Sequence, residues 1–174
     1  MTVLGLEVST SSVKCVLFSA EEGIVDAVTL RFDASVSDTA TCDPQGVLDL
    51  VKQAVQALSA KRQREIAAIG LGGAWHSLLL LDERRRPLGP NYTWADVSAS
   101  PTVELVKQDE QFVKHVYSRT GCMAHALYPI WKCHHFRRTQ PELMQRARYV
   151  SSLIEYLFEQ LTGEAAVSKC IASG

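Results

Sequence analysis

The sequence predicts an α/β domain in which a sheet of mixed strand direction carries flanking helices. Three observations point there. Apolar runs separated by short polar turns open the chain, a capped stretch with helical apolar spacing follows, and two further short apolar runs precede a largely helical second half. At 174 residues, 47% hydrophobic and 21% charged, the chain has the length and composition of one ordinary globular domain with a real core.

Taken in order, residues 3 to 8, 13 to 19 and 24 to 32 read as strands. Ser9 to Ser12 and Glu21-Glu22-Gly23 form the turns of an antiparallel meander. Asp43-Pro44 then supplies a helix N-cap and a proline at the first helical position, and Val47, Val51, Ala54, Val55 and Leu58 recur at helical spacing. Residues 66 to 71 and 78 to 81 are strands again, on either side of a Gly72-Gly73-Ala74-Trp75-His76 bend. Beyond Ser98 the pattern predicts helices over 101 to 107, 110 to 120, 129 to 138, 141 to 146 and 152 to 161, with stops at Gly121 and Gly163. No repeat or low-complexity tract interrupts this order.

Charge and cysteine usage exclude several functions. A net charge of -1 offers no basic surface for nucleic acid, and Arg84-Arg85-Arg86, between a strand and Pro87, reads as a solvated turn. The five cysteines, Cys15, Cys42, Cys122, Cys133 and Cys170, are an odd set without a C-x-x-C pair, which fits a reducing cytoplasm. Cys122, His125, Cys133, His134 and His135 lack the paired ligand spacing of a structural zinc site. There is no signal-like start and no run long enough to span a bilayer, so a membrane is not an expected partner.

The first hairpin carries chemistry. Its tip, Ser9-Thr10-Ser11-Ser12, can offer hydroxyls and backbone N–H groups to a phosphate, Lys14 can add a cation, and Glu7 can hold Mg²⁺ beside it. An exposed Ser/Thr-rich turn next to an exposed acid and a strand lysine accounts for the same residues without function. Gly70-Leu71-Gly72-Gly73 fails as a dinucleotide loop because Trp75 occupies the third glycine place. Asp82 reads as a turn cap and Glu155 as an acid on a solvated helix face.

Five segments in order resemble the FGGY family of carbohydrate kinases, in the actin and hexokinase superfamily. The hairpin is similar to the family's first phosphate motif, Asp-x-Gly-Thr-Thr/Ser-Ser/Thr-x-Lys: Thr10, Ser11, Ser12 and Lys14 fit, whereas Glu7 replaces Asp and Ser9 replaces Gly. Ile69 to Asp82, Thr93-Trp94-Ala95-Asp96, Thr120-Gly121-Cys122 with His125 and Pro129, and Glu155-Tyr156-Leu157 ahead of Leu161 to Glu164 follow. The second, third and fourth of these look most like the gluconate kinase branch.

The resemblance implies a ribonuclease H-like mixed sheet with flanking helices, with residues 1–174 as the N-terminal part of a first lobe whose remainder, and the second lobe, lie outside the chain. It implies ATP and Mg²⁺ as cofactors and transfer of the γ-phosphoryl group to a hydroxyl of a sugar, polyol or sugar acid, gluconate-like or a pentulose such as xylulose. Thr10, Ser11, Ser12 and Lys14 would hold phosphate and Glu7 the metal. Trp75, His76, Trp94, Asp96 and His125 would face the sugar. The catalytic base is expected beyond residue 174, so this stretch alone is expected to be inactive; a homodimer is left open. Read as residues alone, Trp75 and His76 also suit a core, and His125 a solvent-facing loop.

Three departures bear on activity. Glu7 carries one methylene more than Asp, Ser9 adds a Cβ where glycine permits close approach or a positive φ, and Val97-Ser98 follows Asp96 where the family places an Arg. They keep a second reading open, a catalytically degenerate sugar-binding sensor of the same fold.

Overall fold

The computed structural model describes residues 1–62 and 65–169. Strands β1 (Thr2–Val8), β2 (Ser12–Ser19) and β3 (Gly23–Arg31) form the expected antiparallel meander, with Glu7 paired to Lys14 and Val8 to Val13. A two-residue strand β4 (Thr41–Cys42) precedes helix α1 (Pro44–Arg62), which starts where Asp43-Pro44 says it should: the Asp43 carboxylate accepts the Gln45 and Gly46 N–H groups at 3.1 and 3.0 Å. Strand β5 (Ala68–Gly73) returns parallel to β1, giving a mixed sheet of order β3-β2-β1-β5.

Sheet and helices are joined by strand alternation. Leu4, Leu6 and Val8 of β1 and Val13, Cys15 and Leu17 of β2 point to one face and are buried, together with Val47, Val51, Ala54 and Leu58 of α1. Each valine or leucine of this set contributes about 1.5–3 kcal/mol by leaving water. The opposite face carries Gly5, Glu7 and Lys14, all exposed.

Strands β6 (Leu79–Leu81) and β7 (Asn91–Tyr92) lead into helices α2 (Ser100–Lys107), α3 (Glu110–Thr120), α4 (Pro129–Thr139) and α5 (Pro141–Arg146). Strand β8 (Tyr149–Ser151) and helix α6 (Leu153–Thr162) complete the described fold. β4 pairs with β7 and β6 with β8. Asp109 caps α3 by accepting the Phe112 N–H at 2.9 Å, and Gly121 and Gly163 end α3 and α6 at φ +71° and +79°. A second small core of Ala99, Val103, Ala124, Ala126 and Trp131 ties α2 to α4.

Three expectations shift. β5 runs two residues later than predicted, because its parallel register sets Gly73 opposite Val8 and draws both bend glycines into the strand. Glu155 is not a solvated face acid: it closes a capping box with Ser152, accepting that residue's N–H at 2.6 Å. Asp82 does cap the turn, accepting the Arg84 and Arg86 N–H groups, but Arg85 folds back over the Tyr149 ring at 4.2 Å and onto Glu159 at 3.2 Å. Among the described residues no helix is long and apolar enough to cross a membrane.

Candidate functional site

At the hairpin tip the Ser9 N–H donates to the Ser12 carbonyl at 2.9 Å, which closes the turn over Thr10 and Ser11. The Ser9 hydroxyl folds into that turn. It accepts the backbone N–H groups of Ser11 and Ser12 at 3.3 and 3.1 Å and donates to the Ser12 carbonyl at 3.1 Å. Two of the amides that a phosphate would use are therefore already bonded by a side-chain oxygen. The expected conformational penalty at position 9 is absent, since among the described residues only Thr39, His76 and Arg85 are non-glycine residues with positive φ.

Glu7 and Lys14 lie side by side on the open face of the sheet, Nζ to Oε2 at 3.2 Å, each side chain about half exposed. A pair this accessible is worth about 0–1 kcal/mol and yields readily to a competing ion. Among the described residues no three His, Cys, Asp or Glu side chains gather as a metal site. A single hard carboxylate at a phosphate tip nevertheless suits Mg²⁺, which keeps most of its shell as water and phosphate oxygens.

Beside the tip, a small void of about 20 Å³, room for about one water, is lined by Ser9, Thr10, Ala74, Trp75, Asn91 and Trp94, among others. The two indoles are 49% and 48% exposed, too open for core residues. The Asn91 side-chain oxygen is buried without a protein hydrogen-bond partner. A wider hollow of about 670 Å³ between residues 34–45 and 87–90 contains none of the candidate side chains.

His76 follows Trp75 in a left-handed conformation, φ +59°, at the end of the bend after β5. Its ring stands edge to face against Trp75 at 6.0 Å and Tyr128 at 5.0 Å. Partial burial, and then the charge of Lys132, hold its pKa below the ordinary histidine value. The ring is thus neutral at pH 7 and carries one donor and one acceptor.

Asp96 is buried, and its carboxylate is turned inward: it accepts the Ser98 N–H at 3.1 Å and the Ser98 hydroxyl at 2.9 Å, and lies 3.6 Å from the Lys132 ammonium. Ser98, at the place where the resemblance led us to look for an Arg, is thus a local partner of Asp96. His125 is exposed, and its Nδ1 accepts the Leu127 N–H at 3.1 Å, which leaves the proton of the neutral ring on Nε2.

The structure therefore brings Ser9, Thr10, Trp75 and Trp94 around one small void, sets His76 against Trp75 and Tyr128, and places Asp96 beside Lys132. Lys14 and Glu7 stand on the other face of the same sheet end. Tyr128, Lys132 and Asn91 escaped the sequence reading. For Lys132 there was a signal: it stands four residues before Phe136, on the buried side of α4.

Comparison with known proteins places these features in a lineage. Residues 2–174 match the FGGY family of carbohydrate kinases, N-terminal domain. The gluconokinase of Bacillus subtilis is 28% identical over 174 residues, covering 98% of this chain and 34% of that protein, and the xylulose kinase of Streptomyces coelicolor is 28% identical over 173 residues, covering 99% and 36%. A crystal structure of gluconate kinase from Lactobacillus acidophilus superposes with a TM-score of 0.91 at 27% identity, covering 99% of this chain and 35% of that one. This chain spans about a third of the length of these relatives.

Proposed function

The chain belongs to the FGGY family of carbohydrate kinases, and from that premise we propose that it is the N-terminal part of the first lobe of a kinase that moves the ATP γ-phosphoryl group to a hydroxyl of a sugar, polyol or sugar acid. The observation that carries the reading is that the hydroxyl-rich tip and two half-exposed indoles lie side by side at one end of the sheet. Donor and acceptor substrates need such adjacency, because phosphoryl transfer is mainly positioning and charge neutralisation. Gluconate-like substrates fit the motif similarities, with a pentulose such as xylulose next.

In this reading Trp75 and Trp94 stack on sugar C–H groups, and neutral His76 gives and takes hydrogen bonds with hydroxyls. His125 reaches a more distant hydroxyl through Nε2. Thr10, Ser11 and Ser12 hold phosphate oxygens, Lys14 supplies charge, and Glu7 holds Mg²⁺. The metal, when bound, neutralises charge on the transferring phosphate. Asp96 fixes the loop that carries Trp94. The proton-accepting carboxylate and most of the adenosine site belong to sequence outside residues 1–174.

The sensor reading gains support from the tip itself, where the Ser9 hydroxyl occupies the Ser11 and Ser12 amides. One experiment separates the two: the full-length protein is incubated with ATP, Mg²⁺ and a panel including gluconate, xylulose, ribulose and glycerol, while sugar binding is measured in parallel. ATP-dependent product supports the kinase. Sugar binding without product supports the sensor, and neither sinks both.

A further inference from the structure

Lys132 is the one fully buried ammonium among the described lysines, at 0% exposure. Its Nζ donates to the carbonyls of Asp96 and Ala126 at 2.7 Å and of Leu127 at 3.4 Å, and it lies 3.6 Å from the Asp96 carboxylate. Those partners come from two loops that are distant in sequence: Asp96 follows Trp94, and Ala126-Leu127 run directly into Tyr128, the N-cap of α4. Tyr128 in turn stands edge to face against His76. One side chain on α4 thus joins both loops that bear the sugar-side groups.

A charge removed from water is costly, and an ion pair in a protein interior is weak evidence for stability, so its retention calls for another reason. We propose that Lys132 is a positioning residue for the sugar site: it clamps the Asp96 loop to the Ala126–Tyr128 turn and so sets Tyr128 and His76 relative to Trp94. The proposal rests on the sugar-kinase reading for its functional consequence and on the hydrogen bonds alone for the clamp. Because Lys132 has no contact with the phosphate tip, its loss acts on the sugar and not on the nucleotide.

The test uses the full-length protein with Lys132→Met, Lys132→Gln, which retains an N–H donor, Asp96→Asn, and the Lys132→Met/Asp96→Asn pair. Sugar KM is expected to rise tenfold or more in Lys132→Met and less in Lys132→Gln, with ATP KM unchanged within twofold. Lys132→Met should keep most of its effect in the Asp96→Asn background, because the clamp's hydrogen bonds run to main-chain carbonyls that Asp96→Asn leaves in place. Amide hydrogen exchange of residues 124–128 and of the bend at 74–77 should quicken in the same variants. A folded Lys132→Met with unchanged sugar KM and unchanged exchange overturns the proposal. If Lys132→Met does not fold, Lys132→Gln, which is shorter and offers two N–H donors in place of three, overturns it when sugar KM and exchange are both unchanged. A wild type that phosphorylates no sugar while the exchange result holds removes the kinase reading and leaves the clamp standing.

Discussion

The Ser9 hydroxyl lies 3.1 Å from the Ser12 backbone nitrogen and accepts its N–H, so the turn that resembles a phosphate cradle is closed by its own first residue. A phosphate oxygen entering here has to displace that hydroxyl. We predict that Ser9→Gly lowers the ATP KM of the full-length protein about fivefold, the equivalent of roughly 1 kcal/mol for one net hydrogen bond, with sugar KM unchanged. Steady-state kinetics with ATP varied check this. An unchanged or higher ATP KM means that the Ser9 hydroxyl is no obstacle.

Glu7 is expected to matter for turnover and not for sugar affinity. In the kinase reading Glu7→Gln removes the charge proposed to hold the metal while keeping size, so kcat should fall by about two orders of magnitude or more, with sugar Kd nearly intact. Glu7→Asp combined with Ser9→Gly should leave activity unchanged or raise it. Calorimetric sugar binding alongside kinetics decides the matter. Full turnover in Glu7→Gln removes Glu7 from the mechanism.

His76→Ala should raise the sugar KM, or lower kcat, by about one to two orders of magnitude, the loss of hydrogen bonds to a bound hydroxyl. The ATP KM should not follow. Equal damage to both constants would assign His76 to the scaffold.

Two glycines of β5 give a packing prediction. A Cβ on Gly73 would stand 2.6 Å from the Val8 carbonyl and against the Ile154 side chain, whereas a Cβ on Gly70 meets nothing within 4 Å. Gly73→Ala should cost about 1–3 kcal/mol by overpacking, and Gly70→Ala close to none. Thermal melts of the two variants, compared with wild type, test the contrast.

Cys15 gives a pH prediction. Burial raises its thiol from 9.0 to about 11, so the folded state keeps a proton that the unfolded chain has lost. Its contribution is fully present below pH 9 and disappears as pH rises through 11, a change of about 2–3 kcal/mol. Burial moves Cys42 and Cys133 in the same direction. Cys15→Val should flatten the fall of Tm between pH 9 and 11. Parallel curves for variant and wild type would contradict the assignment.

The meander and α1 were legible because their signals are local: alternation between two faces, and an Asp-Pro start followed by Val47, Val51 and Ala54 at helical spacing. β4, β7 and β8 were not, since two or three residues carry no period and these strands exist only through partners far along the chain. The position of Ser9 was noticed, but its effect was sought in backbone strain. The actual effect, a hydroxyl turned into the loop, depends on a rotamer. Glu155 was misread although its signal was present: Ser152-x-x-Glu155 is the spacing of a capping box at the predicted helix start. The contact between Lys132 and Asp96 was not legible, because the two stand 36 residues apart.

The left-handed backbone at His76, φ +59°, limits what evolution or a saturation library can place there. Valine, isoleucine and threonine are disfavoured by their branched Cβ before any question of substrate arises. Glycine satisfies the main chain and loses the ring. Asparagine tolerates the same conformation and keeps one donor and one acceptor, which makes it the single replacement that meets both demands. A selection for sugar phosphorylation over all twenty residues at position 76 should therefore return histidine and asparagine, whereas a selection for folding alone should also return glycine.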